Sequence, residues 1–244
     1  MTALAYSNPD GFPLYLDWFH PDGETVCPVV VCIYGGGWVS GDPSHMHDVA
    51  IPLARNGFAA ACPEYRLAPQ HPYPAACDDL AACVRFLREH ADELKIDPKR
   101  IASLGNSAGG HLAAWVGLHE HLQAVVDICG VADMTGPEHY YTDIGVMFAE
   151  QFFGGPREKL PEAFREASPI FLIDQDAPPF LLVHGEADDI VPIVQSEIML
   201  EALRRNGTPA ELIRCPGEGH SFTYPAWVRI ESKFMSFLKE SLGE

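Results

Sequence analysis

Ile101-Ala102-Ser103-Leu104-Gly105-Asn106-Ser107-Ala108-Gly109-Gly110-His111-Leu112-Ala113-Ala114 is the stretch on which the reading of the chain turns. A short apolar run ends in glycine, Gly-Asn-Ser-Ala-Gly follows, and an apolar pattern with helical spacing comes next, which reads as strand, sharp turn and helix. A serine in such a turn is held in strained backbone geometry, and the residues two before and two after it must be small for strand and helix to approach. Gly105 and Gly109 meet that demand. The turn exposes the Ser107 hydroxyl, while the helix N-terminus, with the Ala108 N–H, offers positive partial charge to an oxyanion. Five residues alone are equally consistent with Ser107 as a plain helix cap, so the rest of the chain must decide.

Upstream, 29–33 is a buried strand that ends in Tyr34-Gly35-Gly36-Gly37-Trp38. Glycines after a parallel strand let backbone N–H groups point into a site, which makes Gly36 and Gly37 candidate oxyanion donors and Trp38 a candidate wall. The spacing predicts an early strand at 12–19, helices at 48–56 and 75–90, and a strand at 58–62. Four prolines between positions 63 and 74 forbid regular helix there. Downstream, strands are predicted at 124–129, 180–184 and 210–215, with a helix at 193–206 and a terminal helix after Phe222, to about Leu242. This alternation is the signature of an α/β fold, a mostly parallel sheet with helices on both faces.

Serine is a poor nucleophile near neutral pH and needs an imidazole base, itself oriented by a carboxylate. Asp188 in His184-Gly185-Glu186-Ala187-Asp188 and His220 in Gly217-Glu218-Gly219-His220-Ser221-Phe222 lie just past the carboxyl ends of two predicted strands, the edge where such sheets carry their sites. Phe222 is a second candidate wall. The 131–169 segment is longer than an ordinary connection and carries Tyr140, Tyr141, Phe148, Phe152 and Phe153, so it is expected to form a lid or pocket wall.

Composition bounds the possibilities. The 244 residues suit one domain, 1–244, with no linker composition inside it. A net charge of −18 repels phosphate backbones, and nucleic acid is an unexpected partner. No apolar run nears a membrane span and the first residues carry no leader pattern, so a cytoplasmic location is expected. Seven cysteines without C-x-x-C spacing read as buried thiols. His45 and His47 lack further ligands, and neither a metal nor a cofactor is expected.

Taken together, Tyr34-Gly35-Gly36-Gly37-Trp38, Tyr65-Arg66-Leu67-Ala68-Pro69, the stretch around Ser107, His184-Gly185-Glu186-Ala187-Asp188 with Val191-Pro192, and Gly219-His220 resemble the α/β-hydrolase family nearly end to end. Within it they resemble the esterases related to hormone-sensitive lipase and the small acetyl-esterase-like hydrolases. The resemblance implies Ser107, Asp188 and His220 as nucleophile, acid and base, Gly36, Gly37 and Ala108 as oxyanion donors, and a small-molecule ester as substrate. The glycine loop begins with Tyr34 where relatives usually have histidine, and Asn106 stands where an acidic residue is common. The expectation is a serine carboxylester hydrolase for short acyl groups without a large cap domain. An arylformamidase-like or other amide hydrolase with the same triad, and an inactive small-ligand receptor, stay open beside it. Oligomeric state is not legible.

Overall fold

The computed structural model describes residues 1–23 and 25–243. In chain order the elements are β1 (Thr2–Ser7), β2 (Leu14–Phe19), β3 (Cys27–Ile33), α1 (His47–Arg55), β4 (Ala59–Pro63), α2 (Ala75–Glu89), α3 (Ala91–Leu94) and β5 (Ile96–Asn106). Then come α4 (Ala108–His119), β6 (Ala124–Ile128), α5 (Asp143–Phe153), α6 (Pro161–Glu166), β7 (Phe180–Gly185), α7 (Val194–Asn206), β8 (Ala210–Cys215) and α8 (Tyr224–Leu242). The described strands form one eight-stranded sheet in the order β1-β2-β4-β3-β5-β6-β7-β8. Its first three strands pair antiparallel, and from β4 onward every pair is parallel. This is the α/β-hydrolase fold.

The apolar runs fill the middle of that sheet. Every residue of β3, β4, β6 and β7 is buried, as expected for parallel strands covered on both faces. Helix α4 is buried from Ala108 to Leu118. It is apolar all round because it packs on β5 and β6 on one side and on α2 on another. Register then levels the strand ends: Ile33 pairs with Gly105, Gly105 with Asp127, and Asn106 with Ile128. The loops that follow β3, β5, β6, β7 and β8 therefore open on one edge.

Several elements depart from the sequence reading: α3, α5 and α6 have no counterpart in it, and β1 and β5 differ as follows. β1 was not expected, because its burial pattern is mostly exposed: it is an edge strand held by pairing to β2, and it lacks the apolar alternation that marks a covered strand. β5 begins at Ile96, ahead of Asp97-Pro98. The register slips between Cys27 and Val29, so two steps along β3 face five along β5, and this bulge accommodates the proline.

Candidate active site

Ser107 has φ 57° and ψ −125°, a conformation that costs a non-glycine residue on the order of 1–3 kcal/mol. The neighbours impose it. Its N–H donates to the Ile128 carbonyl at 2.8 Å, and its carbonyl accepts the first helical bond, from the His111 N–H, at 3.0 Å. The turn is as tight as the sequence implied: a Cβ on Gly105 would stand 2.1 Å from the Gly109 carbonyl oxygen, and one on Gly109 would stand 2.1 Å from that of Ile33.

At this turn the three chemically matched side chains meet. Ser107 Oγ lies 2.8 Å from His220 Nε2, and His220 Nδ1 lies 2.8 Å from Asp188 Oδ2. A carboxylate only accepts, so Nδ1 carries the proton and Nε2 presents its lone pair to the serine hydroxyl. The other carboxylate oxygen, Oδ1, accepts from the backbone N–H groups of Ile190 and Val191, both at 2.9 Å. Burial works to raise the Asp188 pKa, but His184, His220 and these two amides together hold the carboxyl well below its ordinary range. His184 Nε2, 2.8 Å from the Val191 carbonyl and 3.3 Å from Asp188 Oδ2, fastens the same loop from beneath. Asp189, next in sequence, is exposed.

The glycine loop is braced where the sequence offered no obvious support. Gly36, Gly37 and Trp38 all have positive φ, at 122°, 60° and 61°. The Gly36 carbonyl accepts from the N–H groups of Val39 and Ser40, both at 3.1 Å. Tyr34 makes up for the absent histidine by stacking on Tyr65 with ring centroids 4.3 Å apart. The Tyr65 hydroxyl donates to the Tyr34 carbonyl at 2.9 Å, and the Ala68 N–H donates to the Trp38 carbonyl at 2.9 Å. Arg66 is itself fixed by buried Asp79, at 2.9 Å. The Tyr-Arg-Leu-Ala-Pro stretch thus acts as a buttress for the loop.

A cavity of about 510 Å³ opens beside Ser107, lined near it by Gly37, Trp38 and Ala108. Ile190, Val191, Pro192 and Gln195 also line it, and the remaining wall comes from the 131–169 segment, including Tyr140, Tyr141 and Phe148. Phe148 rests on the glycine loop, its ring 2.6 Å from where a Gly37 Cβ would be. Of the other aromatics in that segment, Phe152 stacks on Trp38 and Phe153 on Phe164, and both are core. Neither Gly36 nor Phe222 lines the cavity. Phe222 is partly buried and packs against the main apolar cluster; like His220, two residues before it, it stands outside this lining. Sequence reasoning missed Gln195, a fully buried amide on α7. Its Oε1 accepts from the Ala132 and Asp133 N–H groups, and its Nε2 donates to the Asp133 and Tyr140 carbonyls, fixing the start of the wall. A polar residue in the first turn of a helix is too common a signal to have singled it out.

His45 is exposed and His47 pairs with Asp17 at 2.7 Å, so the two do not converge on a site. Among the described residues Cys129, His184 and Asp188 are close enough to share an ion. Yet Nε2 of His184 must keep its proton to donate to the Val191 carbonyl, and both Asp188 oxygens are engaged. All seven cysteines are buried. No helix among the described residues is long and apolar enough to cross a membrane.

Comparison with known proteins points to one family. Residues 16–203 match the BD-FAE family. Esterase LipC of Mycobacterium tuberculosis is 32% identical over 224 residues, 84% of this chain and 56% of its own length. The chain thus spans about half the length of the curated relatives it matches. A truncated carbohydrate esterase from gut microbiota superposes with a TM-score of 0.83 at 26% identity, covering 100% of this chain and 97% of that one. The butyrate-bound esterase Est2 of Thermogutta terrifontis does so with a TM-score of 0.83 at 25% identity, covering 98% and 93%.

Proposed function

Because the chain belongs to the BD-FAE family and brings a serine, an imidazole and a carboxylate into one hydrogen-bonded line, we propose that it is a serine carboxylester hydrolase for short acyl groups. The observation that carries this reading is the pair of 2.8 Å contacts from Ser107 through His220 to Asp188, with Ser107 lining a cavity of about 510 Å³. Similarity to proteins named as esterases supports it.

In this reading Ser107 Oγ attacks the ester carbonyl carbon as its proton passes to His220 Nε2. The carbonyl oxygen becomes an oxyanion facing the N–H groups of Ala108, at the start of α4, and of Gly37. The Gly36 N–H is the other expected donor, and the Gly36 carbonyl closes the loop by accepting from Val39 and Ser40. Asp188, kept ionised by its donors, holds the His220 Nδ1 proton and stabilises the imidazolium. The imidazolium returns its proton to the departing alkoxide oxygen, leaving an acyl-enzyme. Water, deprotonated by His220, then attacks the acyl carbon, and the Ser107–acyl bond breaks as Oγ regains the proton. No step requires a cofactor.

The 131–169 segment acts as the pocket wall, and with Phe148 lying on Gly37 it limits acyl length. The butyrate held by the Thermogutta terrifontis esterase supports short acyl groups. The test is a ladder of p-nitrophenyl esters. Each methylene that fits adds up to about 0.8 kcal/mol of binding, so kcat/KM rises from acetyl to butyryl and then flattens. A steady rise through octanoyl and decanoyl would refute the compact pocket.

A further inference from the structure

His111 lies one turn into α4 from Ser107, fully buried, and the triad does not use it. Its two ring nitrogens face groups of fixed character. Trp38 Nε1, which can only donate, is 3.1 Å from Nδ1. The Ala167 carbonyl, which can only accept, is 2.8 Å from Nε2. One tautomer satisfies both, with the proton on Nε2 and the lone pair on Nδ1 aimed at the tryptophan. Burial lowers the imidazole pKa to about 4, against the opposing pull of the Ala167 carbonyl, so the ring is neutral wherever a serine–histidine pair works.

What the ring joins gives the contact its meaning. Trp38 closes the glycine loop with a left-handed φ of 61°, a conformation that persists in a bulky residue only when its surroundings impose it. Its side chain is held by a stack on Phe152, with centroids 4.7 Å apart, and by the His111 hydrogen bond. His111 shares α4 with the Ala108 N–H. Ala167 follows α6 in the segment that walls the cavity.

Resting on the hydrolase reading above, we propose that His111 is the positioning residue of the oxyanion hole, locking the glycine loop and the cavity wall to the helix that carries Ser107 and Ala108. Leucine at position 111 leaves the Trp38 N–H and the Ala167 carbonyl unpaired and frees the loop from the helix. Glutamine keeps one acceptor and one donor on the same path.

The experiment measures kcat, KM and the second-order rate of fluorophosphonate labelling at Ser107 for the full chain and for His111→Leu, His111→Gln, Trp38→Phe and the Trp38→Phe/His111→Leu double variant. Loss of an oxyanion donor costs about 10²–10³ in kcat, and displacement of one should cost about 10-fold to 100-fold. His111→Leu is expected to lose that factor in kcat and in labelling rate with KM nearly unchanged, and His111→Gln to regain most of it. Trp38→Phe, which keeps an aromatic ring against Phe152 while removing the N–H together with the pyrrole part of the indole, should show at least the same loss in kcat, and the double variant no more than Trp38→Phe alone. If His111→Leu does not fold, Trp38→Phe decides alone. Full kcat in folded Trp38→Phe, or a change in melting temperature with no change in kcat, overturns the assignment. If the unmodified chain neither turns over esters nor is labelled at Ser107, the hydrolase reading fails first and this assignment falls with it.

Discussion

Asp127→Asn should stabilise the protein at neutral pH. Asp127 lies in β6 beneath the Ser107 turn, 1% exposed, with Oδ1 accepting from the Gly130 N–H at 2.8 Å. The chain makes room for it with two glycines, since a Cβ on Gly110 or Gly130 would stand 2.5 or 2.2 Å from that oxygen. Burial pushes its pKa from 3.8 up to about 6, while His184 and the Gly130 N–H pull the other way. Between those values the native state binds a proton that the unfolded chain has released, so the group's contribution to stability falls as pH rises from about 4 to about 6. At 1.36 kcal/mol per pH unit the cost is about 3 kcal/mol above pH 6. Asparagine imitates the protonated carboxyl and does not bear that cost. Thermal melts should therefore place Asp127→Asn about 6–12 °C above the unmodified protein near neutral pH, with the gap closing as pH approaches about 4. A gap of constant size, or a variant whose deficit grows with pH, would refute the argument. His111 titrates in the opposite sense. Its lowered value means stability that is fully present above about 6.5 and lost as pH falls toward 4, so the Asn variant should also show the steeper acid loss.

Asp188→Asn should cost about 10⁴ in kcat, by analogy with triads in which an amide leaves the base in the wrong tautomer. Exposed Asp189→Asn should cost little, and kinetics of the two variants side by side distinguish the assignments. Gly37→Ala places a Cβ 2.6 Å from the Phe148 ring at a residue with φ 60°. It should cut kcat by about 10²-fold and lower the melting temperature through the clash and the backbone strain, and normal turnover would show that the Gly37 amide takes no part.

The sequence carried much of this because the elements at the site have strong local signals. Gly105 and Gly109 announce a close approach that the backbone makes, and the apolar runs of β3, β6 and β7 mark strands covered on both faces. Asp188 and His220 stand after β7 and β8, where parallel topology brings loop ends together. What stayed hidden depended on long-range partners. Tyr65 and His111 brace the glycine loop across 31 and 73 residues of sequence, and nothing in their neighbourhood reveals the atom each one meets. For Phe222 the place beside His220 was legible, but the side on which its ring packs depends on the core.

A fluorophosphonate probe followed by peptide mapping tests whether Ser107 is a nucleophile activated by His220. A single adduct on Ser107 is expected, together with ester turnover that falls by orders of magnitude in a folded Ser107→Ala variant. Labelling at another residue, or ester turnover that survives in Ser107→Ala, would contradict it.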